Sequence, residues 1–191
     1  MLVLDLDETL VHCGSERTSP DDIEVELGEE EGGKGFVSLR PYALSFLQKV
    51  RKHFEVVAFT ASEKSYADAV LDEMDPEGRL IAHRLYREHC VRLQTKVYAK
   101  DLRVLGRELS QVLLVDNSPL SHLYQLDNAV PILPYTGGED NELLQLERYL
   151  ERARGEADVR ALNRKTFRLH NYPHFEDCEQ LVTELYALPY Y

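Results

Sequence analysis

The chain opens on an apolar run, Leu2-Val3-Leu4, that stops at two carboxylates, Asp5 and Asp7, with a hydroxyl at Thr9. A short buried strand ordinarily ends in turn residues. Alternate residues of an extended chain face the same side, so Asp5 and Asp7 would stand side by side at the strand tip. Crowding two buried acids is costly unless a cation or a phosphate-binding task offsets it. The opening stretch therefore fixes both a buried first strand and a polar task at its end.

Further apolar runs repeat the pattern. Glu55–Phe59 reads as a second buried strand ending at Thr60-Ala61-Ser62, Val112–Val115 as a third ending at Asp116-Asn117-Ser118-Pro119, and Leu80–Tyr86 and Val130–Leu133 as additional strands. Helices are expected from Arg40-Pro41 to about Lys52 (apolar face Leu44, Leu47 and Val50, with Phe46 beside them), from Glu63 to Met74 (Tyr66, Val70, Leu71, Met74) and from Glu139 to Arg154 (Leu143, Leu146, Tyr149, Leu150). A short helical segment holds Leu102 and Leu105 and closes at Gly106. Near-continuous apolar strands alternating with helices predict an α/β fold, a parallel sheet covered on both faces by helices. Ile23–Leu27 alternates strictly and Phe36–Leu39 is a second extended piece, so residues 13–40 are expected to form a small β-hairpin insertion after the first strand. One domain of 191 residues follows, with residues 135–191 as a mainly helical extension and one helix around Leu181–Leu185.

Composition narrows the class. With 22 Lys and Arg against 34 Asp and Glu, the net charge of −12 disfavours direct binding of nucleic acid or an anionic membrane. Cys13, Cys90 and Cys178 are odd in number and widely spaced, which fits neither a disulfide framework nor a zinc site and favours a reducing, intracellular compartment, nuclear or cytoplasmic. No run of about 18 apolar residues would span a membrane. An anchor in a flanking segment remains compatible with this, and oligomeric state is unread.

In a parallel sheet, ligands sit beyond the carboxyl ends of the strands. Three polar clusters fall there together: Asp5/Asp7/Thr9, Thr60/Ser62 and Asp116/Asn117. Asp5 is the candidate nucleophile toward a phosphomonoester, Asp7 the general acid and then base, and Asp116 with Asn117 the all-oxygen donors suited to Mg²⁺. Thr60 would meet a phosphate oxygen, and Lys100 would pair with the phosphoryl group. Each residue alone has a plainer reading: a calcium loop for Asp5-x-Asp7-x-Thr9, contradicted by Leu10 at the glycine position; helix caps for Thr60 and Ser62; a solvated lysine; a turn at Asp116–Pro119.

Taken together, Asp5-Leu6-Asp7-Glu8-Thr9-Leu10-Val11-His12, Phe59-Thr60-Ala61-Ser62, Tyr98-Ala99-Lys100-Asp101-Leu102 and Val115-Asp116-Asn117-Ser118-Pro119 resemble the haloacid dehalogenase superfamily. More narrowly, they resemble the Fcp/Scp, or NLI-interacting-factor-like, protein serine/threonine phosphatases, over about Leu2–Pro134. The resemblance implies a Rossmann-like core with a small β insertion, and Mg²⁺-dependent hydrolysis of phosphoserine or phosphothreonine in a phosphoprotein through an aspartyl-phosphate. It implies a metal set of Asp5, the Asp7 carbonyl, Asp116 and Asn117, catalytic roles for Asp5, Asp7 and Lys100, and phosphate contacts from Thr9, Thr60, Ala61, Arg87 and Lys100. Members acting on the RNA polymerase II tail use an apolar pocket; here the matching stretches, Cys13–Glu16 and Ser62–Lys64, are polar. Two rival readings are a non-catalytic binding module, against which the intact acids argue, and a small-molecule phosphatase, for which residues 13–40 offer too small a cap.

Overall fold

The computed structural model describes residues 1–27, 33–94 and 97–174. In chain order the elements are β1 (Leu2–Leu4), β2 (Val11–Gly14), β3 (Ile23–Glu26), β4 (Lys34–Leu39), α1 (Ala43–Val50), β5 (Val56–Phe59), α2 (Lys64–Met74), β6 (His83–Leu85), β7 (Val91–Gln94), β8 (Val97–Ala99), β9 (Leu113–Asp116), β10 (Ala129–Pro131), α3 (Glu142–Ala153) and α4 (Val159–Thr166). Five strands pair in parallel in the order β10-β9-β1-β5-β6, with β1 at the centre.

Pleating divides the sheet residues between two cores. Leu2, Leu4, Val56, Ala58, Leu113 and Val115 face the apolar sides of α1, α2 and α3, together with Val159 of α4. Val3, Val57, Phe59 and Leu114 face the opposite way and are covered by Leu102, Leu105 and Leu109, which ride on short 3₁₀ turns. Both faces are thus covered by helical segments, α-helices on one and 3₁₀ turns on the other. Among the described residues no helix is long and apolar enough to cross a membrane.

The expected strands are present, but β6 holds three residues rather than the seven from Leu80 to Tyr86. Helix α1 begins at Ala43, because Tyr42 takes a left-handed conformation (φ 70°) that breaks the helix after Pro41. Its buried face is Ala43, Phe46, Leu47 and Val50, and Leu44 points to solvent. The insertion is a three-stranded antiparallel sheet in the order β2-β4-β3, not a hairpin. The unforeseen strand, Val11-His12-Cys13-Gly14, has mixed composition and no alternation, and gains its ladder only from β4. Much of the Glu29–Gly35 connection and the expected helix at Leu181–Leu185 lie outside the described residues, as does Cys178. A two-stranded ribbon, β7–β8, was also unforeseen.

Arg40 ties these parts together. Its side chain is fully buried, and its Nε and Nη2 bond both oxygens of Asp140 at 2.9 and 2.8 Å. Nη1 donates to the Thr9 carbonyl at 3.1 Å and Nη2 to that of Leu133 at 2.9 Å. One guanidinium thus joins the acid loop, the exit of β10 and the approach to α3.

Candidate active site

The site begins in the backbone just past β1. The Leu6 carbonyl accepts from the N–H groups of Thr9, Leu10 and Val11. Glu8, at φ 60°, donates its N–H to the Val11 carbonyl at 2.7 Å and accepts from the Tyr135 N–H at 2.7 Å. Leu6 is buried, and Asp5 and Asp7 are left on the other side, both lining one cleft of about 500 Å³ at the carboxyl ends of the parallel strands. The Asp5 N–H joins β9 by donating to the Val115 carbonyl, which brings Asp116 alongside.

On the floor, Lys100 is buried, and its Nζ lies 2.5 Å from Asp5 Oδ1 and 2.5 Å from Asp116 Oδ2. Thr9 Oγ1 donates to Asp5 Oδ2 at 3.1 Å. Burial and then the Asp116 carboxylate push the Asp5 carboxyl up to about 7, against the pull of Lys100. Burial alone would lower the Lys100 ammonium, but Asp116 and Asp5 outweigh it and hold it above the ordinary lysine value. Lys100 is therefore a fixed cation.

Asp7 has a separate set of partners. Tyr66 Oη, on α2, donates to its Oδ1 at 2.5 Å and Ser62 Oγ to its Oδ2 at 2.7 Å, with Thr60 Oγ1 3.5 Å from Oδ2. Burial and the Asp7 carboxylate hold the Tyr66 phenol well above its ordinary value, so it stays a donor. Thr60 Oγ1 also accepts the Ser62 N–H at 3.0 Å, a local turn ahead of α2; the N-cap of α2 is Glu63, with no side-chain cap bond, so Thr60 and Ser62 do not cap that helix.

Asp5, Asp7, Thr60, Ala61, Arg87, Lys100, Asp116 and Asn117 all line the cleft. Arg87 is fixed there by its Nε bond to the Ala61 carbonyl (2.8 Å) and its pairing with Glu63 (3.0 Å). Thr9 differs from the expectation: it is fully buried, spends its hydroxyl on Asp5 and does not line the cleft, so its contact is with the acid rather than a phosphate. Tyr66 was missed as a site residue because its spacing on α2 reads as core, and nothing in the sequence places its hydroxyl against Asp7. Cys90 lies behind Thr60, its Sγ 3.6 Å from the Thr60 carbonyl, and burial pushes its thiol up to about 11. A thiol held there is no nucleophile near neutral pH.

The residues fit a hard divalent cation. Two carboxylates, Asp5 and Asp116, share one lysine with Asp7 lining the same cleft, and the donors are all oxygen. Among the described residues no three His, Cys, Asp or Glu side chains converge on one point. Such an ion would thus rely on Asp5, Asp116, the Asn117 amide, the Asp7 carbonyl and water, which suits a cation that keeps part of its hydration shell.

The fold has solved counterparts. The structure of Fcp1, an essential RNA polymerase II CTD phosphatase, aligns with a TM-score of 0.72 and 18% identity over 87% of this chain and 70% of that one. The architecture is therefore that of the Fcp1 fold, an α/β arrangement around a parallel sheet. The chain belongs to the NLI interacting factor-like phosphatase family, whose match covers residues 1–160. Similar proteins include CTD small phosphatase-like protein 2 of Dictyostelium discoideum, 44% identical over 88% of this chain and 30% of that protein. CTD small phosphatase-like protein 3 of Caenorhabditis elegans is 42% identical over 90% of this chain and 60% of that protein. CTD nuclear envelope phosphatase 1 of Xenopus tropicalis is 37% identical over 89% of this chain and 73% of that protein. The chain thus spans only part of the length of the first two.

Proposed function

We propose that this chain is a Mg²⁺-dependent phosphatase for phosphoserine and phosphothreonine in proteins, working through an aspartyl-phosphate on Asp5. The observation that carries the reading is the floor of the cleft, where Lys100 bridges Asp5 and Asp116 at 2.5 Å each with Asp7 beside them. Family membership and the relatives' names as phosphatases support it.

An Asp5 oxygen attacks phosphorus, and the bond from phosphorus to the seryl or threonyl oxygen breaks. The proton of the Asp7 carboxyl passes to the leaving alkoxide. Asp7, now ionised, takes a proton from water; the resulting hydroxide attacks phosphorus, the Asp5–phosphorus bond breaks, and inorganic phosphate leaves. Lys100 offsets charge at Asp5 throughout. Thr60, with the polar groups at the start of α2, holds phosphate oxygens, and Arg87 stands at the edge. Bound Mg²⁺, held by Asp5, the Asp7 carbonyl, Asp116 and Asn117, would supply charge neutralisation between nucleophile and phosphate dianion.

Turnover of p-nitrophenyl phosphate and of a phosphoserine peptide, with Mg²⁺ and after chelation, tests the reading. Asp5→Asn and chelation should each abolish both activities. Wild-type rates in Asp5→Asn would remove Asp5 from the nucleophile role, and undiminished rates without divalent ions would remove the metal.

A further inference from the structure

The cleft has a charged lip as well as a charged floor. The ribbon β7–β8 forms one wall, contributing Arg92, Val97 and Tyr98, with Lys100 one residue past its end. Arg92 and Tyr98 are direct partners across the ribbon. Opposed residues of an antiparallel pair place their side chains on the same face, about 5 Å apart at Cβ. Tyr98 in turn carries the Arg87 guanidinium 5.6 Å from its ring centroid. Arg87 and Arg92 therefore both belong to the cleft lining beside Tyr98.

They differ in what they have left to offer. Arg87 is partly neutralised by Glu63. Arg92 is exposed and has no ion-pair partner among the described residues. In a chain of net charge −12, an uncompensated arginine beside a site for an anionic substrate is a local reversal of the overall field. The ribbon also sets a distance. Tyr98 and Lys100 are two residues apart on an extended strand, so lip and floor are offset by about 7 Å. An extended peptide covers that offset in about two residues.

We propose that Arg92 reads a second anionic group on the substrate, a carboxylate or a second phosphate, about two residues from the phosphoserine or phosphothreonine whose phosphate enters the cleft. The assignment rests on the phosphatase reading above and narrows its substrate class to acidic or multiply phosphorylated segments. Arg92 acts in binding, not in the chemical steps.

The test compares kcat/KM for phosphoserine peptides that are neutral around the phosphoserine, or that carry Glu or a second phosphoserine two residues before or after it. The readout is the ratio of anionic to neutral peptide within each protein, which cancels any general loss of activity. Wild type should favour an anionic peptide by about fivefold, the worth of a well-placed exposed ion pair, with the preference shrinking as salt rises. The effect should lie in KM. A gain with either Glu or phosphoserine supports the assignment, and the two arms tell a carboxylate source from a phosphate one. Arg92→Ala should bring the ratio to about one, and Arg92→Glu should carry it below one. Equal turnover of all peptides by wild type, or an unchanged ratio in both variants, would overturn the lip alone. No turnover of any peptide, nor of p-nitrophenyl phosphate, would overturn the phosphatase reading with it.

Discussion

Asp5 and Asp7, two residues apart, have different neighbours. Asp5 shares Lys100 with Asp116, whereas Asp7 is held by hydroxyl donors from the β5–α2 side. Tyr66→Phe removes one donor at nearly constant shape. A hydrogen bond to a charged group is worth about 1.5–3 kcal/mol, or roughly tenfold or more in rate. The variant should therefore lose about tenfold in kcat on a phosphoserine peptide, whose alkoxide needs a proton, and much less on p-nitrophenyl phosphate, whose leaving group does not. Steady-state kinetics on the two substrates checks this, and equal losses would remove Tyr66 from the aiming of Asp7. What the sequence reveals here follows from contrast. Asp5, Asp7, Thr60 and Asp116 are polar groups interrupting apolar runs, and a strand end is a place where such an interruption has meaning. Tyr66 interrupts nothing. Its period matches the buried face of α2, and only the packing discloses where its hydroxyl goes. Thr9 is the converse: its type suits a phosphate ligand, but the tight turn around the Leu6 carbonyl buries it against Asp5.

Between α2 and β6 the chain turns on Asp75. Its carboxylate accepts from the backbone N–H groups of Arg79, Leu80 and Ile81 at 2.8, 2.8 and 3.0 Å. Gly78, at φ 61°, completes the turn. Burial alone would raise the Asp75 carboxyl, but these three bonds outweigh it and hold it below the ordinary aspartate value. A depressed carboxyl stabilises the fold fully above its unfolded pKa, near 3.9, and less as pH falls through the folded value. Asp75→Ala should cost about 2 kcal/mol near pH 7, since three donors lose their acceptor. The gap from wild type should narrow below about pH 4, as urea unfolding at the two pH values would reveal. The longer elements were legible because periodicity accumulates over their length, as for Leu143, Leu146, Tyr149 and Leu150 of α3, all buried as expected. The four-residue strand β2 shows no alternation and is specified by its pairing with β4.

Arg40 illustrates why assembly is harder to read than local structure. It sits 100 residues from Asp140, and nothing near either residue announces the pair. Removing one partner of a buried, hydrogen-bonded ion pair costs about 3–5 kcal/mol. Arg40→Met should lower thermal stability by about 10 °C or more in a chain of this size, measured by calorimetry, while an exposed pair such as Lys49–Glu147 should contribute less than about 1 kcal/mol. An Arg40→Met protein as stable as wild type would show that the pair only offsets its own desolvation.

The turn that carries Asp5 and Asp7 is held by backbone groups: the Leu6, Glu8 and Thr9 carbonyls are bonded to neighbouring amides, to Tyr135 and to the Arg40 guanidinium. None of those bonds uses a carboxylate. Form and reactivity are therefore separable in this part of the chain. On the reading proposed above, an Asp5→Asn, Asp7→Asn copy should keep the contour of this turn and hold a phosphorylated segment without turning it over.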